Sequence, residues 1–304
     1  MGKERGPVII EYVWCDSQGG FRNKTMVTRI ESIINSNNNA FANMSDASWI
    51  PEWYSEPTDM QHLYCKEGYH KKLTPIYWCH DPFRSNYVHN KTRCIIALCS
   101  QADTMLIREK VKAIMRKTKY DNKILAIKQF FTFLTGSGQR STVLGYIGPQ
   151  PDISRYYSNM GKPHGRDYVE QHLQYCITAG LSICGMNASY GLSQWEYRIG
   201  PCKGINVADE ITISKYIMER IVGDNQGLKI IWGDNENNQG GCRLIYESDI
   251  PTRVDNWRHP QDEVRIRNMH LYNSINKLAI PMQNSKLPSN YFKTPYEIFM
   301  NMVE

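Results

Sequence analysis

Cys65, His70, Cys79 and His80 are the first residues whose types suggest chemistry, because two thiols and two imidazoles can make a zinc ligand set. Their spacing fits no standard finger or ribbon, and two of the four are neighbours, so the pattern argues against a metal. The nine cysteines contain no Cys-x-x-Cys pair. The opening residues, Met1 to Gly6, lack the apolar core of a signal peptide, and Gly6 stands where a myristoylation signal needs Ser or Thr. These features read as reduced, mostly buried thiols in a cytoplasmic protein. The Asn-x-Ser/Thr sequons at Asn23, Asn43, Asn90 and Asn187 carry little weight in that setting.

A second group with chemical potential is cationic. Arg108, Lys110, Lys112, Arg116, Lys117 and Lys119 interleave with Leu106, Ile107, Val111, Ile114 and Met115 at helical spacing. Such a segment is either a solvated outer helix face or an anion site, and the first is the expectation. Over the whole chain, 36 basic and 30 acidic side chains give a net charge of +6 across 304 residues. That is too mild a balance to imply a specific nucleic-acid partner. The densest apolar run, Cys94 to Cys99, suits one buried strand and is too short to span a membrane.

The elements that must position these residues follow from pattern. Val8 to Trp14 and Phe21 to Ile30 read as strands around a turn at Asp16 to Gly20. The stretch from Asn35 to Ser48 is polar enough for a loop, and Pro51 to Pro75 suits a long ordered loop. Ile76 to Trp78 and Arg93 to Cys99 are strands flanking Asp81-Pro-Phe-Arg84. The basic helix starts near Asp103, and the change of pattern there places a domain boundary between residues 1–102 and 103–304. Beyond it, strand signals at 124–134, 181–185, 194–199 and 228–232 alternate with amphipathic helices at 165–179 and 208–221. The chain is α+β, with a 41% hydrophobic fraction that supports real cores.

Several motifs then fall in one order. Gly145-Tyr-Ile-Gly-Pro-Gln150 is similar to a GFPGPQ loop, and His164-Gly-Arg-Asp167 with Ala179 to Asn187 is similar to YGRD…AG-x-x-I-x-G-x-N. Gln194 to Pro201 resembles QWEFQ-x-GP, and Gly204 to Arg220 resembles G-I-x-x-x-DE…Y-I-x-ER. Upstream, Glu11 to Asp16, Arg22 to Thr25, Pro51-Glu-Trp53 and Asp81 to Arg84 keep the same order, as do Tyr291-Phe292 and Pro295-Tyr296 downstream. Collinear, these motifs resemble glutamine synthetase of the eukaryotic type. The resemblance implies an N-terminal β-grasp domain, then a catalytic-type domain whose curved antiparallel sheet carries helices outside. It also implies rings of subunits, and a ligase that joins glutamate to ammonia with ATP and a divalent metal.

The same resemblance locates the site, and there the chain departs from the family. Lys128 and Phe130 stand at two metal-ligand glutamates, Ser189 at a third, Arg243 at the ligand histidine and Lys293 at the last carboxylate. Only Glu196 matches a metal ligand. Lys128, Arg243 and Lys293 either neutralise Glu196, taking the electrostatic place of the metals, or point to solvent. Glu56 matches the aspartate that helps deprotonate ammonium, although Pro57 replaces the glycine after it. Asn238, Gly240 and Gly241 match a substrate- or nucleotide-binding loop. The resemblance places the glutamate flap and phosphate clamps beyond Arg243, and the expectation is that the residues following it are too few to form them.

The expectation is therefore a glutamine synthetase-like pseudoenzyme without a cofactor. It would act in structure, assembly or regulation, as a homo-oligomer or in mixed rings with an active relative. Two other readings stay open. One is an active ligase with a rearranged site, using Mg and ATP; the other is a module that binds nucleotide or glutamate without turnover. Trp53, Trp195 and Tyr197 are expected to pack rather than bind, and Asp81 to Arg84 to fix a strand.

Overall fold

The computed structural model describes residues 6–16, 20–28, 47–56, 70–85, 92–117, 124–136, 141–148, 157, 164–225, 227–232 and 242–247. The chain mixes α and β structure, with two sheets and, among the described residues, three helices. It divides into two compact units, residues 1–110 with 178–180, and residues 111–177 with 181–304.

The first unit holds five strands: β1 (Val8–Cys15), β2 (Phe21–Thr28), β3 (Trp53–Ser55), β4 (Lys71–His80) and β5 (Arg93–Ser100). Their order is β2-β1-β5-β4-β3, with β1 and β5 parallel at the centre and the other pairs antiparallel. Central strands covered on both faces need near-continuous apolar runs, and β1 and β5 supply them. Ile10, Tyr12, Leu73, Ile95 and Ala97 form the core, with Trp53 and Trp78 packed on it.

The Asp81-Pro-Phe-Arg84 motif ties this sheet together. Arg84 reaches both the Asp81 carboxylate and the buried Glu11 carboxylate on β1. The Asp81 carboxylate also accepts the Phe83 N–H at 2.9 Å. The Pro51-Glu-Trp53 segment is equally structural. The Tyr12 hydroxyl donates to the Pro51 carbonyl at 2.8 Å, and the Tyr12 and Trp53 rings meet edge-on at 5.3 Å.

The 51–75 stretch corrects the loop expectation. Trp53–Ser55 pairs with Lys71–Leu73, so strand structure occupies both ends of that stretch. Pro75 disguises the strand, because it cannot donate to a ladder; a register shift between Pro75 and Tyr77 accommodates it.

The second unit is built on the long strand β6 (Ile124–Thr135). β6 pairs antiparallel with β7 (Thr142–Val143), β9 (Gln194–Lys203), β10 (Leu228–Trp232) and β11 (Cys242–Glu247), and β9 pairs with β8 (Ile183–Ala188). Helix α1 (Ala102–Lys117) begins in the first unit and ends in the second, while α2 (Arg166–Ala179) and α3 (Asn206–Gly223) lie wholly or almost wholly in the second. Two strands lie beyond their expected bounds: β8 begins and ends later, and β9 continues through Gly200 and Pro201 to Lys203. β11 fills a segment for which pattern alone suggests no element. Its signal is the Leu244-Ile245-Tyr246 run just after two glycines.

Candidate functional site

Residues on a strand alternate between faces, and β6 and β9 show it clearly. On one face, the Tyr197 hydroxyl bonds the Ser214 hydroxyl of α3 at 2.9 Å, and the His172 ring of α2 lies 4.7 Å from the Tyr197 ring. Phe131, Trp195 and Ile199 share that fully buried face. Sequence reasoning expects Trp195 and Tyr197 to pack, and they do.

The opposite face carries the residues at the implied ligand positions. Glu196 on β9 is directly opposite Phe130 on β6 and Asn187 on β8. Lys128, two residues back on β6, pairs in register with Arg198. The Lys128 ammonium lies 3.0 Å from Glu196 Oε1, with the carboxylate side chain only 1% exposed and the lysine 17%. The contact is an ion pair whose angles fall outside those of a hydrogen bond. The same ammonium sits 5.5 Å from the centre of the Phe130 ring, which shields the pair. On β11, Arg243 holds the register position beside Lys128.

Ser189 is buried, and its N–H donates to the Gln194 carbonyl at 2.8 Å, closing the turn between β8 and β9. Glu56 lies in the first unit, exposed, 3.2 Å from His70 Nδ1 and 3.7 Å from Lys24 Nζ. Asn238, Gly240, Gly241 and Lys293 lie outside the described residues. A further residue of this face is Thr132. It is 1% exposed, on the Lys128 face of β6, and among the described residues its hydroxyl has no hydrogen-bond partner.

The loop motifs are built into this sheet by close packing. Gly165, at φ +88, opens α2 against β6, where a Cβ would stand 2.3 Å from Phe133 Cδ2. Gly145, at φ +79, lies against the His164 ring, which a Cβ would meet at 2.2 Å. The His164 carbonyl accepts the Trp195 indole N–H at 2.8 Å and the Ser193 hydroxyl at 3.1 Å. The Arg166 guanidinium stacks over Trp195 at 5.2 Å. The glycine loop, the His164 turn and the Gln194-Trp-Glu strand thus form one packed unit.

The glutamine synthetase of Tuber borchii is 30% identical over 242 residues, covering 75% of this chain and 60% of that protein. The Saccharomyces cerevisiae enzyme is 29% identical over 239 residues, covering 75% of the chain and 58% of its own length. The Xenopus laevis enzyme is 30% identical over 226 residues, with 71% and 53% covered. The chain is a glutamine synthetase-like protein. It spans about 60% of the length of the curated relatives it matches first. No model of a known protein family matches it.

The glutamine synthetase family implies a divalent metal, and the residues at the ligand positions that the resemblance implies do not fit one. A magnesium ion wants about six oxygen ligands at roughly 2.1 Å. Of the matched positions on β6, after β8 and on β9, only Glu196 offers a carboxylate, and a lysine ammonium already holds it. A second cation at that distance would face Lys128 at close range. Among the described residues no three His, Cys, Asp or Glu side chains gather where they could hold a metal.

Proposed function

We propose that this glutamine synthetase-like protein does not catalyse glutamine formation and works instead as a structural, assembly or regulatory member of its family. The observation that carries this reading is the Lys128–Glu196 pair at 3.0 Å, which puts a tethered cation where the family's chemistry needs an exchangeable one. Phosphoryl transfer depends on cations that bridge phosphate oxygens, and an ammonium locked to a buried carboxylate cannot do so. Losing one well-placed charge stabiliser commonly costs about 10²–10³ in rate. At the positions the resemblance implies, Lys128, Phe130 and Ser189 stand in place of three carboxylates.

In this reading the first unit is the β-grasp domain and the second the catalytic-type domain, its curved sheet backed by α2 and α3. The protein assembles with copies of itself or with an active relative. It is cytoplasmic and needs no cofactor. The motifs that survive are those that pack: Gly145 against His164, Gly165 against Phe133, Trp195 under Arg166. Their retention supports a role for the fold itself. The kept Gly145 loop and buried Glu196 favour a second reading, a module that holds nucleotide or glutamate without turnover.

The test is glutamine formation by the purified chain, with saturating glutamate, ammonia, ATP and Mg²⁺ or Mn²⁺ beside an authentic synthetase. The expected result is no turnover at about 10⁻⁵ of the control, a limit set by removing several charge stabilisers at once. Turnover abolished by Glu196→Ala would overturn the proposal. Metal-independent ATP binding without turnover would favour the second reading.

A further inference from the structure

The basic segment of α1 ends beside the corner where β9 turns into α3, and the two enclose an open cleft of about 280 Å³. Lys112 and Arg116 enter from one side, one helical turn apart and so on the same face of α1. Lys203 and Asn206 enter from the other, and Met115 and Ile205 contribute apolar surface. All of these residues belong to the second unit. We propose that this cleft is a binding site for a small phosphate-bearing anion.

Among the described residues the charge in the cleft is of one sign: three cationic side chains from two separate segments line it, and no carboxylate does. The corner also presents the start of α3, an 18-residue helix whose N-cap, Ile205, has no side chain able to cap it. The Ala208 and Asp209 N–H groups donate to the Ile205 carbonyl at 2.9 and 3.3 Å, which leaves the Asn206 and Val207 amides at the positive end of the helix dipole. In the first turns of α3 the Glu210 carboxylate accepts the Ser182 N–H at 2.6 Å and the Ser182 hydroxyl at 3.3 Å, and Asp209 is 1% exposed. On α1, Glu109 stands three residues before Lys112 and lies 3.4 Å from the Arg108 guanidinium.

Concavity separates a small anion from a polymer. Lys110 and Lys117 belong to the same helix but not to the cleft wall, so the three lining cations converge on one point rather than track along a strand of phosphates. The site is also separate from the Lys128–Glu196 pair. Lys203 follows Glu196 by seven residues of β9, about 20 Å at strand rise. The two proposals can therefore fail independently.

The test uses the full chain and pyrophosphate, with orthophosphate and sulfate as comparisons, at ionic strength fixed with chloride. Calorimetry and thermal melts are read on wild type, Arg116→Ala, Lys203→Ala and Lys117→Ala. Arg116 and Lys203 are exposed, so their loss should leave the fold intact, which far-UV circular dichroism verifies. Saturable pyrophosphate binding is expected, weakened about tenfold by Arg116→Ala or Lys203→Ala and unchanged by Lys117→Ala. No saturable binding would overturn the site, as would equal weakening by Lys117→Ala, which marks diffuse helix charge. A duplex nucleic acid bound more tightly than pyrophosphate, and released by Lys117→Ala, would assign the surface to a polymer instead.

Discussion

Lys128 Nζ lies 3.0 Å from Glu196 Oε1 across the β6–β9 pairing, while the direct register partner of Glu196 is Phe130. The ion pair is thus diagonal, with an aromatic ring beside it. Removing one partner of a buried pair leaves the other charge uncompensated, at a cost of about 3–5 kcal/mol. Lys128→Met should approach the lower figure, because the lysine keeps 17% exposure. Lys128→Met with Glu196→Gln should recover most of that loss, since both charges are gone. Urea unfolding of the two single variants and the double variant reads the coupling.

His172 gives the protein an acid limit. The ring is fully buried, and burial pushes its pKa down to about 4, against a smaller upward pull from the Ser214 carbonyl 2.9 Å from Nε2. A histidine that stays neutral when folded and titrates near 6.5 when unfolded binds more protons in the unfolded state between those values. Stability is therefore complete above about pH 6.5 and falls as pH drops towards 4, by up to about 3 kcal/mol. His172→Gln should flatten this part of the pH–stability curve. Thermal melts between pH 4 and 7 measure it.

Arg84 binds two buried carboxylates, Glu11 and Asp81, from the turn beside β4. Burial pulls the guanidinium pKa down, but its bonds to Asp81 and Glu11 more than offset this and hold it above its ordinary value. Arg84→Gln should destabilise the first unit by about 3–5 kcal/mol, because it strands two acids. Arg84→Lys should recover part of the loss, since a lysine keeps the charge without the fork. Denaturant unfolding followed by tryptophan fluorescence reports it through Trp14, Trp53 and Trp78.

Gly165→Ala tests the joint between α2 and β6. At φ +88 a side chain is strained, and its Cβ would fall 2.3 Å from the Phe133 ring. The expected loss is about 1–3 kcal/mol, read as a lower Tm. Gly180→Ala is the control: φ is +82 there too, but nothing lies within 4 Å of the added carbon. It should cost less.

Periodicity and motif order made most of this legible. The amphipathic helices and the apolar runs of β1, β5 and β6 each carry a local signal. The order of motifs from Gly145 to Arg220 leads to the family, and the exchange of Lys128 for a carboxylate is visible at once. β3 and the start of β4 were hidden by Pro57 and Pro75, since local propensity cannot report a partner strand far along the chain. Nor could sequence decide between solvent and Glu196 for Lys128. That choice depends on the register of β6 against β9 and on the ring of Phe130, which only the assembled sheet fixes. The burial of Thr132 follows from its place on β6, where it pairs with Gln194 of β9 on one side and Ile231 of β10 on the other.

The claim at the centre of this account is that a tethered ammonium occupies the place of a divalent cation. A Mn²⁺ titration of the purified chain, read by electron paramagnetic resonance and calorimetry, tests it most directly. The account predicts no saturable binding at millimolar metal, and the same melting temperature with Mn²⁺ or with chelator. Stoichiometric Mn²⁺ binding that Glu196→Gln abolishes would contradict it.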